Sequence, residues 1–139
     1  MRLVLDSNEY IFAFGSTQRP ACSVLIDTIL STHPNYSLRI PRLIVEEVGR
    51  HLTPEAFKEF MGLINSLTAI DENFVVPFEL GARYEARGLK PADAFIAAYV
   101  EWTGAEVLVS ENRHFLRHTS SLSFQILNAD NCIKLLKAK

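Results

Sequence analysis

The chain has 139 residues, 48% of them hydrophobic and 22% charged, with a formal net charge of −2 and a pI near 6.1. That is the size and composition of one domain, residues 1–139, able to bury a core. It excludes a basic protein that coats nucleic acid non-specifically, while leaving room for a local basic patch. No apolar stretch approaches the roughly 20 residues that span a bilayer, and the opening "RLVL" is cut by Asp6, too early for a secretory h-region, so no membrane association and a cytoplasmic location are expected.

In chain order, "RLVL" is a wholly apolar run of the kind a central parallel strand shows, because such strands are covered on both faces. After Pro20, "ACSVLIDTILSTH" places Val24, Leu25, Thr28 and Ile29 at helical spacing, with Pro34 as the stop. "YSLRIP" is a second strand. "RLIVEEVGRHL" then reads as an amphipathic helix in which Leu43, Ile44, Glu47, Val48 and Leu52 share a face, which puts an acid on its buried side. Thr53 and Pro54 open a further helix with a hydroxyl cap and a proline in the first turn. Its stripe is Phe57, Phe60, Met61 and Ile64, and the apolar surface of "FKEFMGLI" is a candidate interface. "TAIDENFVVP" reads as a strand or an extended crossover, and "FELGARYEARG" as a helix closed by Gly88. Pro91 starts a helix whose residues 94–100 are consecutively apolar, too many for one exposed face, so it is expected to be buried nearly all round before Gly104 ends it. "AEVLVS" and "FQIL" are further apolar strands, and "NADNCIKLLKAK" is a capped closing helix. Helices alternating with short strands imply an α/β sandwich with a mainly parallel sheet. Cys22 and Cys132 lie far apart among aliphatic residues, the setting of buried free thiols rather than a disulfide.

In such a sheet ligands bind outside the carboxyl ends of the strands. Asp6 ends the first strand, and Ser110, Glu111 and Asn112 follow "VLV". Asp93 heads a helix that runs antiparallel to the strands, and Glu47 lies early in its own. Carboxylates gathered at one edge raise one another's pKa, so the cluster calls for a cation, shared protons or water. With oxygen ligands only, hard ions are expected, Mg²⁺ or Mn²⁺. Each acid also has a purely structural reading. Asp93 in a first turn complements the helix dipole by about 0.3–1 kcal/mol. Asp6 suits a turn or a helix cap. Glu46 competes with Glu47, although the apolar stripe favours Glu47. "NRHFLRH" reads equally as a solvated helix face.

Four segments, "VLDSN" with Asp6, "IVEEV" with Glu47, "LKPADAFIAA" with Asp93 and "VLVSENRHF", resemble in order and spacing the PIN-domain ribonucleases, over residues 3 to 127. The resemblance implies a PIN-like three-layer α/β/α sandwich with a mainly parallel four- or five-stranded sheet. It also implies Mg²⁺- or Mn²⁺-dependent endonucleolytic cleavage of RNA by a cluster of acids. Many members are the toxin half of a toxin–antitoxin pair, and homodimers are common, so an antitoxin and a second copy are expected partners. Carried onto this chain, the metal-binding and catalytic positions are Asp6, Glu47, Asp93 and Asn112. Asn8 and Ser110 would hydrogen-bond the acids and hold them in place, Glu111 would be a substitute for the fourth acid, and Arg87, Lys90, Arg113, His114, Arg117 and His118 would meet substrate phosphates. One position departs from the pattern: where a fourth acid is usual, Asn112 offers a carbonyl oxygen but no charge. That departure raises a second reading, a catalytically weak or idle PIN-like module that binds RNA or a protein. A phosphotransfer enzyme on another α/β fold is disfavoured, because Asn8 stands where a second Asp would be needed and no Gly-rich phosphate loop is present.

Overall fold

A computed structural model describes residues 1–117 and 122–138, without the Arg117 side chain; the expectation for His118, and for Arg117 as a phosphate contact, lies outside the described residues. β1 (Arg2–Leu5), β2 (Ser37–Pro41), β3 (Ile70–Asp71), β4 (Val107–Val109) and β5 (Gln125–Leu127) form one sheet in the order β3-β2-β1-β4-β5. Every neighbouring pair is parallel, with Leu3 opposite Leu38 on one side and Val107 on the other. This is a PIN-like three-layer α/β/α sandwich with a five-stranded parallel sheet.

The connections are α1 (Ser7–Phe14) and α2 (Pro20–Thr32), α3 (Arg42–His51) and α4 (Pro54–Leu67), α5 (Phe78–Ala86) and α6 (Pro91–Thr103), and α7 (Arg113–Arg117), with α8 (Ala129–Lys137) closing the chain. Helices α1 to α4 and α8 pack as one group, α5 against α6 as another. Leu3, Val4, Leu5, Ile40, Leu108 and Val109 are fully buried, the burial on both faces that their unbroken apolar runs require. In α6, Ala94 and Ile96 to Val100 are buried and Phe95 is half-buried. Gly104 ends that helix at φ 72°, a left-handed position where a side chain is strained. Thr53 Oγ1 caps α4 by accepting from Ala56 N at 3.2 Å.

Between Asp6 and Pro20, where the sequence pattern assigns no element, Ser7–Phe14 form α1. The strand expected in "TAIDENFVVP" is present over two residues, Ile70–Asp71, and is followed by a 3₁₀ turn, Asn73–Val75. One expectation is corrected. The stripe of α4 is spent internally: Phe60 and Ile64 are buried, Phe57 and Met61 pack on the same core, and Tyr10 meets Phe60 edge-on at 5.1 Å, so "FKEFMGLI" is not an open apolar surface. Both cysteines are free and buried.

Candidate functional site

The strand order reverses at β1, since β2 and β3 build outward on one side and β4 and β5 on the other. Such a switch point opens a crevice at the carboxyl ends of the two central strands. There lies a cleft of about 310 Å³ whose lining includes Asp6, Asn8, Glu47, Asp93 and Asn112.

Asp6 is held from two sides. Its Oδ1 accepts from Ser7 N at 2.8 Å, so it caps α1, and its Oδ2 accepts from Ser110 Oγ at 2.8 Å. Both the capping and the site readings are therefore true of one side chain, one oxygen for each. Burial raises the Asp6 pKa against the opposing effect of these hydrogen bonds, and the charges of Glu47 and Asp93 push it the same way as burial. Glu47 reaches the cleft from α3 one turn after Leu43, which also lines it, while Glu46 is exposed. Asp93 enters from the first turn of α6. Among the described residues no three of Asp, Glu, His and Cys are closed into a ready-made metal cage; the acids share a cleft without converging on one point.

Ser110 is fully buried and links the parts: it donates to Asp6 and accepts from Asn112 N at 3.0 Å. Asn112 divides its amide. Its Oδ1 accepts from His114 N at 2.9 Å, and its Nδ2 donates toward Asp93 Oδ1 at 3.5 Å. The carbonyl expected to face a metal is thus engaged at the start of α7, and the group facing Asp93 is a donor.

Glu111, expected to support or replace the fourth acid, turns away. Its Oε2 accepts from Ala129 N at 3.0 Å at the start of α8. Beside it lies an acid that the sequence patterns do not single out, Glu9, fully buried in α1. Glu9 Oε1 accepts from Cys22 Sγ at 3.6 Å, whereas its Oε2 meets no N–H or O–H donor among the described residues. Burial first, then the neighbouring Glu111 carboxyl, push Glu9 up to about 9, so it is a neutral acid near neutrality. The one signal for it in the sequence is a lone acid in the apolar run "EYIFAF".

Of the basic residues, Lys90 is exposed at the head of α6, and Arg113 and His114 are exposed at the start of α7 directly after Asn112. Arg87 is placed elsewhere: its guanidinium lies over the Tyr84 ring at 5.5 Å, in a hollow shared with Leu80, Arg83 and Glu101.

No protein-family model and no curated relative matches the sequence. The fold does match solved structures. VapBC2 from Rickettsia felis, bound to a DNA fragment from their promoter, superposes with a TM-score of 0.64 at 19% identity, over 92% of this chain and 98% of that one. FitAcB from Neisseria gonorrhoeae superposes with a TM-score of 0.60 at 14% identity, over 91% and 97%.

Proposed function

We propose that the chain is a metal-dependent endoribonuclease that hydrolyses RNA phosphodiester bonds and serves as the toxin of a toxin–antitoxin pair. The observation that carries this reading is the meeting of Asp6, Glu47 and Asp93, from three separate elements, in one cleft at the switch point. The donor set fits a hard divalent cation: three carboxylates, with no His or Cys in the lining. A buried Asp6 whose acid neighbours disfavour its charge gives a cation something to stabilise. Asp6, Glu47 and Asp93 would hold Mg²⁺ or Mn²⁺, which when bound polarises a phosphate and acidifies a water.

The chain's own groups supply orientation. Ser110 and the Ser7 amide fix both oxygens of Asp6. The Asn112 amide steers Asp93. Asn8 lies in the cleft as a hydrogen-bonding group for the acids or the substrate. Lys90, Arg113 and His114, each exposed and near a cleft residue in the chain, would meet phosphates flanking the cut, local basic groups within a net charge of −2. The likeness to VapBC2 and FitAcB supports an antitoxin as protein partner.

One observation favours a second reading, an idle module that binds RNA or protein: Asn112 brings an amide donor, not an acid, to Asp93. An end-labelled RNA pool incubated with Mg²⁺, Mn²⁺ or EDTA separates the two. The nuclease reading predicts metal-dependent cuts that fall at least about 100-fold in Asp93→Asn. RNA binding by the wild type without cutting under any metal would leave the idle module.

A further inference from the structure

Glu9 is an acid in a poor place for its charge, in the first turn of α1 and fully buried. Around it stand Cys22 from α2, Cys132 from α8, Glu111 from the loop after β4 and the Asp6 carboxyl at the end of β1: two thiols and two acids, with no cation among them. Its Oε1 accepts from Cys22 Sγ at 3.6 Å, and its Oε2 meets no donor among the described residues. The Glu111 carboxyl lies within hydrogen-bonding reach. An orphaned buried carboxyl oxygen beside a second carboxyl calls for a shared proton, because two carboxylates in contact away from water do not both ionise.

The surroundings decide which acid carries that proton. Glu111 is half-buried, and its Oε2 already accepts from Ala129 N in the first turn of α8, where the helix dipole favours a carboxylate. Glu9 has no exposed surface and only a thiol donor, so the proton is its own. The loop is thereby tied twice to one helix. Ser110 donates to Asp6, the cap of α1, and Glu111 accepts from Glu9, three residues further along. Asn112 follows directly, with its Nδ2 turned toward Asp93.

We propose that Glu9 is a positioning residue: held as a neutral acid, it donates to the Glu111 carboxylate and clamps the loop of residues 110–112 onto α1, so that Ser110 meets Asp6 and Asn112 meets Asp93. Glu9 is absent from the cleft lining and acts on the cleft only through Glu111. The clamp also accounts for the direction of Glu111, which turns from the cleft because it bridges α1 and the start of α8.

Infrared difference spectroscopy and amide hydrogen exchange on the full chain test it. At neutral pH the wild-type spectrum minus that of Glu9→Gln should contain the carbonyl band of one protonated carboxyl group. Glu111→Gln should shift that band, since an amide is a weaker acceptor than a carboxylate. Glu9→Leu fills the space and removes the donor. The amides of Asn112 and His114 should then exchange at least about 10-fold faster while those of β1 and β4 keep their protection. Glu9→Gln should restore slow exchange, because its side-chain oxygen still accepts from Cys22 Sγ while its amide nitrogen donates to Glu111. No protonated-carboxyl band in the difference spectrum, or wild-type loop exchange in Glu9→Leu, overturns the proposal, and the band is read whether or not Glu9→Leu folds. Cleavage adds a readout that rests on the nuclease reading: kcat should fall about 10-fold or more in Glu9→Leu with KM little changed, and recover in Glu9→Gln. Unchanged cleavage by Glu9→Leu also overturns the clamp, whereas a wild type that cuts no RNA sinks the nuclease reading and leaves the band and the exchange pattern to decide.

Discussion

Asp6 is required to do two things that pull in opposite directions. As a cap it is replaceable by Asn at little cost, since both side chains accept from the first turn of a helix. As a charge it is unwelcome in the fold, because burial and the acids around it raise its pKa. Asp6→Asn should therefore leave the melting temperature equal to or above that of the wild type, while RNA cleavage falls at least about 100-fold. A large loss of stability with activity retained would make Asp6 a structural cap alone. Glu9 allows a pH test of the same physics. Its pKa is about 9 in the folded protein against 4.5 ordinarily, so the native state holds this proton more tightly than the unfolded chain does. Stability from this group is then full below about 4.5 and is lost progressively as pH rises toward 9. Glu9→Gln keeps the shape and removes the titration. Denaturant unfolding should show it stabilised on the order of 2 kcal/mol at pH 8, with a flatter pH profile. An unchanged profile would mean that Glu9 is not the neutral buried acid described.

At the level of elements, the parts legible in the sequence are those whose physics is local. The unbroken apolar runs of β1 and β4, the Thr53–Pro54 helix start, and the apolar length of α6 all read directly. Helix α1 does not, because "SNEYIFAF" lacks a polar face: Ser7, Glu9 and Tyr10 are all buried, so no 3.6-residue alternation appears. Asp6, Glu47 and Asp93 are identifiable because each sits at a strand end or early in a helix that the topology brings to one edge. The fate of the loop after β4 is not, since whether Glu111 or Asn112 faces the cleft depends on where α7 and α8 begin, a tertiary matter. Two glycines give a clean test of local physics. Gly104 sits at φ 72° with nothing within 4 Å of the place a side-chain carbon would take, and Gly62 lies in the interior of α4 with equally open space. The same substitution should therefore act with opposite signs. Gly104→Ala should cost about 1 kcal/mol through backbone strain alone, and Gly62→Ala should stabilise by about 0.5–1 kcal/mol. Thermal unfolding of the two variants checks both signs.

The molecule as a whole combines a cleft lined by Asp6, Glu47 and Asp93 at the switch point of a parallel sheet with an apolar groove that adjoins it in the chain, Pro91 lining the groove and Ala92 the cleft. Everything functional in that picture turns on whether the acids hold a cation. Calorimetric titration with Mn²⁺ reads this without relying on catalysis, and Asn112→Asp is the informative companion because Asp keeps the acceptor for His114 N while adding the missing charge. A cation site built on Asp6, Glu47 and Asp93 predicts weak but saturable binding by the wild type, its loss in Asp93→Asn, and binding tightened by about 10-fold or more in Asn112→Asp. Binding that survives Asp93→Asn, or no binding by either the wild type or Asn112→Asp, would contradict it.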